Sequence, residues 1–241
     1  MSLAQFYYKG ELRAGADLWL DEDTVRHVVQ VLRMQAGEKI QLTNGEGYVG
    51  ICVIKTAEKK KCLVVIEEVD FHKQRASLLH LGVAFTKNSS RNEWLLEKAT
   101  ELGVSSIIPI MAERSERERI RYERWNSILV SALLQSQQYY LPILHEAMTV
   151  KNLLSKYHDV PQQLIGHCIE GYERSPISEM LKPALETIIL IGPEGDFTEE
   201  ELNLCMGQGY KAVSMGVQRL RTETAALAAC AYFSLINPLA P

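Results

Sequence analysis

Residues 186–235 read ETIILIGPEGDFTEEELNLCMGQGYKAVSMGVQRLRTETAALAACAYFSL, and this stretch decides the class of fold. Ile188 to Ile191 is an unbroken apolar run closed by Gly192-Pro193, the pattern of a strand buried on both faces of a parallel sheet. Thr198-Glu199-Glu200-Glu201 follows as a capping box, in which a hydroxyl and a carboxylate three residues apart each take an orphan amide of a helix start. Lys211 to Met215 reads as a second short strand ending at Gly216. The basic loop Gln218-Arg219-Leu220-Arg221 then enters a helix at Thr222 whose early turns are small: Ala225, Ala226, Leu227, Ala228 and Ala229. Two strand-loop-helix crossings in tandem put glycine-bearing loops at the carboxyl ends of strands, where α/β sheets bind ligands. A plain turn at Gly192-Pro193-Glu194-Gly195 and a plain strand stop at Gly216 fit the spacing equally well. Glu194 and Asp196 argue against a phosphate cradle, which needs bare amides at a helix N-terminus.

Working back from this stretch, Leu78 to Phe85 reads as a strand, Arg91 to Leu102 as a helix stopped by Gly103, and Ser105 to Met111 as the next strand. Strand, helix, strand at that spacing is a βαβ unit. Helices are expected from Tyr122 to about Gln138, Val150 to Tyr157 and Pro176 to Leu185, with a strand over Gln163 to Ile169. That makes five strands alternating with helices from residue 75 onward. His167, near the end of the third of these strands, is expected as a core histidine. Residues 1–72 look β-rich, with strands at Phe6 to Tyr8, Lys39 to Leu42, Tyr48 to Ile54 and Leu63 to Val69. Asn44-Gly45 is a hairpin signal, and Lys59-Lys60-Lys61 is expected at a solvated hairpin tip. Asp21 starts a helix on which Val25, Val28, Val29 and Leu32 share a face. Phe71 to Gln74 reads as the linker between domains 1–72 and 73–241.

The 241 residues are 46% hydrophobic and 23% charged, an ordinary globular composition with ample core. No run of 18 apolar residues suggests a membrane span, and the start lacks a secretory pattern. The five cysteines are scattered, with neither a C-x-x-C pair nor metal spacing, so reduced core thiols, no metal and a cytoplasmic protein are expected. The net charge of −4 does not advertise a nucleic-acid binder, but it divides as −2 over residues 1–72, +3 over 73–125 and −5 over 126–241. The charged run from Glu113 to Arg124 reads first as a solvated face. Its arginines, Arg114, Arg117, Arg119, Arg121 and Arg124, also suit phosphate.

IGPEGDF followed by a short strand and MGVQRLRTETAALAA closely resembles the C-terminal signature of the RsmE family, the ribosomal RNA uridine-N3 methyltransferases of the SPOUT superfamily. Glu97 to Val104 and Pro109…Glu113-Arg114-Ser115 match as well, and His27 to Arg33 with Gly37 is similar to the family's H-x-x-x-V-L-R-x-x-x-G element. The resemblance covers nearly the whole chain. It implies a SPOUT-type parallel sheet with a trefoil knot, preceded by a small PUA-like β-barrel domain. S-adenosylmethionine would be held by Ile191, Gly192, Pro193, Glu194, Gly195, Met215, Gly216, Leu220, Thr222 and Thr224. Arg221 and Glu223 would act on the reacting uridine: Arg221 stabilises its anion, and Glu223 takes the N3 proton or orients Arg221. An RNA footprint on Arg26, Arg33, Arg91, Arg114 and Gln138 is expected, with ribosomal RNA or the small ribosomal subunit as partner and a homodimer as the assembly. Two positions depart from the family pattern: Asp196 replaces a glycine, and Gln138 replaces a basic residue, which puts one substrate contact in question. A SPOUT enzyme for another RNA position, or an assembly factor that binds ribosomal RNA without methylating it, are the readings to be distinguished.

Overall fold

The structure is a computed structural model that describes residues 3–115 and 120–238; Arg117 and Arg119 of the charged run lie outside the described residues. The chain forms two compact units, Met1–Gln74 with Leu133–Leu141, and Arg75–Ala132 with Pro142–Pro241.

In the first unit, strands β1 (Gln5–Tyr7), β2 (Asp17–Trp19), β3 (Lys39–Thr43), β4 (Tyr48–Glu58) and β5 (Lys61–Phe71) form one sheet in the order β1-β3-β4-β5-β2. The β4–β5 hairpin is longer than the sequence indicates, closing at Glu58↔Lys61 so that Lys59 and Lys60 form its tip. Cys62, Val64 and Ile66 are buried in alternation along β5 and pack with Ile40, Leu42, Cys52 and Ile54. The Asn44-Gly45 signal makes a four-residue connection rather than a two-residue one. Asn44 Oδ1 accepts from the amides of Glu46 (2.9 Å) and Tyr48 (3.2 Å), so the side chain, not the backbone alone, shapes the turn.

The expected helix near Asp21 is also altered. Asp21 caps α1 (Glu22–Val25), which passes directly into a π-helical stretch, Arg26–Val31. The wider turn, with Leu32 N bonded to His27 O at 2.9 Å, rotates later residues off the face that 3.6-residue spacing assigns them. Val25 and Val28 are buried, while Val31 and Leu32 are exposed.

Residues 133–141 complete this unit. Gly47 N donates to Tyr139 O (2.9 Å), Leu141 N donates to Gly45 O (2.8 Å), and Tyr140 Oη donates to His72 O (2.7 Å). The Tyr139 ring stacks on His72 with centroids 3.8 Å apart.

The second unit contains β6 (Leu79–Val83), α2 (Ser89–Glu101), β7 (Ser106–Met111), α3 (Tyr122–Gln135), β8 (Ile143–Leu144), β9 (Met148–Thr149), α4 (Val150–Lys156), β10 (Gln162–Gly166), β11 (Ser175–Pro176), α5 (Ile177–Met180), β12 (Thr187–Ile191), α6 (Glu199–Gly207), β13 (Lys211–Ser214) and α7 (Thr222–Ile236). The sheet runs β11-β13-β10-β12-β6-β7-β8, with β9 also on β7, and its pairings are parallel. The five principal strands are those read from the sequence, and β12 is buried at every position, as its apolar run requires. Thr198 and Glu201 close the capping box in both directions. The three two-residue strands were not expected, and neither was the shortness of α5. Pro183 disfavours helical geometry at Lys182, and Leu181 is already extended at ψ 117, so the helix expected over Pro176 to Leu185 ends at Met180.

Cys52, Cys62, Cys205 and Cys230 are buried thiols, and burial pushes three of them (Cys52, Cys205 and Cys230) up to about 12. Cys168 is exposed, contrary to the expectation for the set. Among the described residues, no helix is long and apolar enough to cross a membrane, and no cluster of His, Cys, Asp and Glu is arranged to hold a metal.

Candidate active site

A cavity of about 400 Å³ opens in the second unit at the carboxyl ends of β10, β12 and β13. Parallel strands deliver their loops to one edge, so the two loops singled out in the sequence meet there. Of the expected cofactor residues, Ile191, Gly192, Pro193, Glu194, Met215, Gly216, Leu220 and Thr222 line the cavity, and so does Arg221. Gly195, Thr224 and Glu223 stand outside this lining.

The loops are fixed from several directions. Thr222 Oγ1 donates to Gly192 O at 3.0 Å, which ties the start of α7 to the end of β12. A Cβ at Gly192 would lie 3.0 Å from the buried Phe197 ring, so glycine lets the loop fold over that ring. Gly216 sits at φ 133, a conformation that side chains rarely adopt. Arg114 Nη1 donates to the carbonyls of Gly195 (3.1 Å) and Phe197 (3.4 Å). Arg91 lies between two acids, with Nη1 3.5 Å from Glu194 Oε1 and Nε 3.6 Å from Glu223 Oε1. Both arginines expected on RNA from this unit are therefore engaged with the loop or with acids beside it.

Glu223 is only 7% exposed, and its Oε2 has no hydrogen-bond partner among the described residues. It faces Arg91, not Arg221. Arg221 is exposed at the N-cap of α7 and makes no side-chain hydrogen bond or ion pair among the described residues. The structure thus brings Arg221 to the cavity with a free guanidinium and holds Glu223 behind it in a nearly dry setting.

The remaining RNA candidates belong to the first unit. Arg26 is exposed and lies 3.3 Å from Asp23, while Arg33 is exposed at φ 57 where the π-helical stretch ends. The Gln138 side-chain amide donates to Ser136 Oγ (3.1 Å), and its backbone carbonyl accepts from the Gln5 side chain (3.4 Å).

Sequence reasoning missed part of the cavity wall: His167, Cys168, Arg174 and Asp196. Asp196 adopts φ 63, where glycine is at ease, which accounts for the family's usual residue. Its carboxylate accepts from Phe197 N (2.9 Å) and Cys168 N (2.6 Å), and these bonds offset the strain. Arg174 Nη1 donates to His167 O at 2.7 Å. The only signal in the sequence was the position of His167 at the end of a strand.

Burial is the main influence on both His167 and His145 and lowers their pKa from the usual 6.5. A lowered native pKa means that the unfolded chain binds a proton first on acidification, so stability falls as pH drops below about 6.5. The thermal midpoint is therefore expected to decline from pH 7.5 to 5.5, above the range of ordinary carboxylates. A His145→Gln, His167→Gln double variant should flatten the decline, and an unchanged slope would refute this assignment.

The family description "RNA methyltransferase domain" matches residues 73–234, and "RNA methyltransferase PUA domain" matches residues 20–67. The Bacillus subtilis protein named ribosomal RNA small subunit methyltransferase E is 29% identical over 230 residues, covering 88% of this chain and 87% of its own. The crystal structure of a probable rRNA-methyltransferase from Porphyromonas gingivalis superposes with a TM-score of 0.90 at 34% identity, covering 98% of each chain. A ribosomal RNA small subunit methyltransferase E from Neisseria gonorrhoeae, solved bound to S-adenosyl methionine, gives 0.84 at 28% identity, again over 98% of each chain. These likenesses run through both units and both cavity loops, and they show that the chain belongs to the RsmE family of RNA methyltransferases.

Proposed function

We propose that this protein methylates N3 of a uridine in small-subunit ribosomal RNA, using S-adenosylmethionine held in the cavity at the ends of β10, β12 and β13. The observation that carries the reading is the convergence of both signature loops on one cavity, with Arg221 free at its edge. The cavity suits that cofactor: Ile191, Val213, Met215 and Leu220 give apolar walls for a nucleoside, and loop backbone at Gly192 and Gly216 gives polar partners without side-chain bulk. A sulfonium supplies a methyl carbon already activated for attack, so no metal is asked of the chain.

The chain's own residues must handle charge and position. Uridine N3 carries a proton at neutral pH and gains nucleophilicity when it leaves. Arg221 stabilises the negative charge that spreads to O2 and O4. Glu223 is the candidate acceptor of the N3 proton; Arg91 holds its Oε1, and its Oε2 is buried outside the cavity lining, so this role requires RNA binding to uncover that oxygen. Arg114 and Arg91 hold the Glu194-Gly195 loop in place. Fixed geometry supplies much of the remaining acceleration.

Arg26 and Arg33 of the PUA domain are the proposed RNA contacts outside the cavity. The protein is further read as a cytoplasmic homodimer with a knotted chain end. The exposed side chains of Val217 and Leu235, on the second loop and on α7, support a covered face. Incubation of small ribosomal subunits lacking the modification with labelled S-adenosylmethionine, followed by nucleoside analysis, is expected to give 3-methyluridine. Label in another nucleoside would overturn the N3 assignment. Cofactor binding without label would favour a binding-only assembly factor.

A further inference from the structure

A second cavity, of about 580 Å³, is lined only by residues of the first unit. That is the size of pockets that hold small ligands. Its wall includes Tyr7 and Lys9 at and after the end of β1, Asn44 and Glu46 in the turn after β3, and Tyr48 at the start of β4. The turn fixes the polar end. Asn44 is 8% exposed, and its Oδ1 is committed to the amides of Glu46 and Tyr48, so the other end of its amide is Nδ2. Among the described residues that donor has one long bond, 3.5 Å to Glu46 Oε2. An underused donor therefore stands next to a two-oxygen acceptor. Tyr7 senses the same carboxylate: burial first, and then the Glu46 charge, push its phenol above the usual 10. The aromatic end is open. Tyr48 and Phe71, cross-strand partners on β4 and β5, are exposed with ring centroids 4.8 Å apart. Large exposed rings beside a cavity suit the stacking of a base.

The charges narrow the ligand. Glu11 is paired with Arg13 at 2.6 Å, which leaves one carboxylate, Glu46, and one ammonium, Lys9, on the wall without an ion pair among the described residues. A bare anion would meet Glu46, and a cationic side chain has no acceptor to offer Asn44 Nδ2. A nucleotide satisfies both ends, with its base on Glu46 and Asn44 and its phosphate on Lys9. Among the four unmodified bases, guanine alone presents two adjacent donors, N2–H and N1–H, followed by an acceptor, O6. That order complements two carboxylate oxygens followed by an amide donor, and the negative charge strengthens the pair. Adenine and cytosine would put a ring-nitrogen lone pair against the carboxylate, and uracil a carbonyl. We propose that this cavity takes an unpaired guanine of the substrate RNA: Glu46 accepts from N1–H and N2–H, Asn44 donates to O6, Tyr48 stacks on the ring and Lys9 meets the phosphate. This rests on the reading that the chain binds small-subunit ribosomal RNA, and it gives the PUA unit a base-specific contact away from the cofactor.

The test is fluorescence anisotropy of the full chain with the labelled heptanucleotide UUUGUUU and with forms carrying A, C, U, inosine or 1-methylguanosine at the centre. Wild type should bind the guanine form about tenfold more tightly than the A, C and U forms. Inosine, which lacks the N2 donor, should fall between, and 1-methylguanosine, which lacks the N1 donor, should bind no better than A. Glu46→Gln should lose about tenfold for guanine alone, whereas Tyr48→Ala should weaken every form. Equal binding of all central bases by wild type, a preference for another base, or an undiminished guanine preference in Glu46→Gln would overturn the inference. Unmodified small subunits provide the reference. A wild type that binds them but shows no guanine preference loses only this site, and one that fails to bind them loses the RNA reading as well. Should Glu46→Gln not fold, wild-type tyrosine ring resonances decide: UUUGUUU is expected to shift Tyr7 and Tyr48 where UUUUUUU does not, and unmoved resonances refute the site.

Discussion

Arg221→Ala is expected to reduce methyl transfer at least about a hundredfold with the fold and thermal midpoint unchanged. Removing one preorganised donor from a developing anion costs on that order in turnover. The stability half of the prediction rests on the structure. Arg221 is exposed, its backbone provides the cap of α7, and its guanidinium holds nothing else among the described residues. The loss should fall on turnover at saturating RNA, with little change in S-adenosylhomocysteine affinity. Arg221→Lys should restore part of the rate, since a point charge replaces the forked donor imperfectly. Single-turnover transfer to unmodified subunits measures this, and a variant with wild-type turnover would remove Arg221 from the chemistry.

Gly47→Ala is expected to destabilise the first unit by about 3 kcal/mol, combining left-handed strain and a backbone clash. Gly47 adopts φ 90, and a Cβ there would lie 2.6 Å from the carbonyl oxygen of His72 as well as against the Tyr140 ring. That carbonyl already accepts from Tyr140, and the Gly47 amide donates to Tyr139. The substitution therefore strikes the point where three segments are joined. Hydrogen exchange should accelerate in peptides spanning 39–72 and 136–141 and stay unchanged over 187–191. Unchanged protection at 44–48 would show that the turn absorbs the methyl group.

The sequence made the main sheet legible because burial on both faces leaves a strong trace. The Ile188 to Ile191 run and the Thr198 box each specify their local structure through neighbours close in the chain. The two cavity loops were legible for the same reason. Features set by distant partners were not. Nothing around Tyr139 announces a bond to Gly47, and nothing around Asp196 announces one to Cys168. The π-helical turn after Val25 keeps an apolar spacing that reads as ordinary helix. His167 looked like a core residue because burial and cavity lining share one signature in sequence: a polar side chain at the end of an apolar strand.

The placement of Leu133–Leu141 in the first unit bears on how the protein is made. Synthesis is vectorial, and N-terminal domains commonly fold first as the chain emerges. Here the amide of Gly47 and the carbonyl of His72 wait for Tyr139 and Tyr140, which leave the ribosome only after β6, α2 and β7. A nascent chain cut at Gln74 carries every strand of the first sheet but lacks the segment that closes it. The PUA unit is therefore a poor candidate for transplanting as a contiguous module, and its maturation is timed by the part of the chain that builds the methyltransferase.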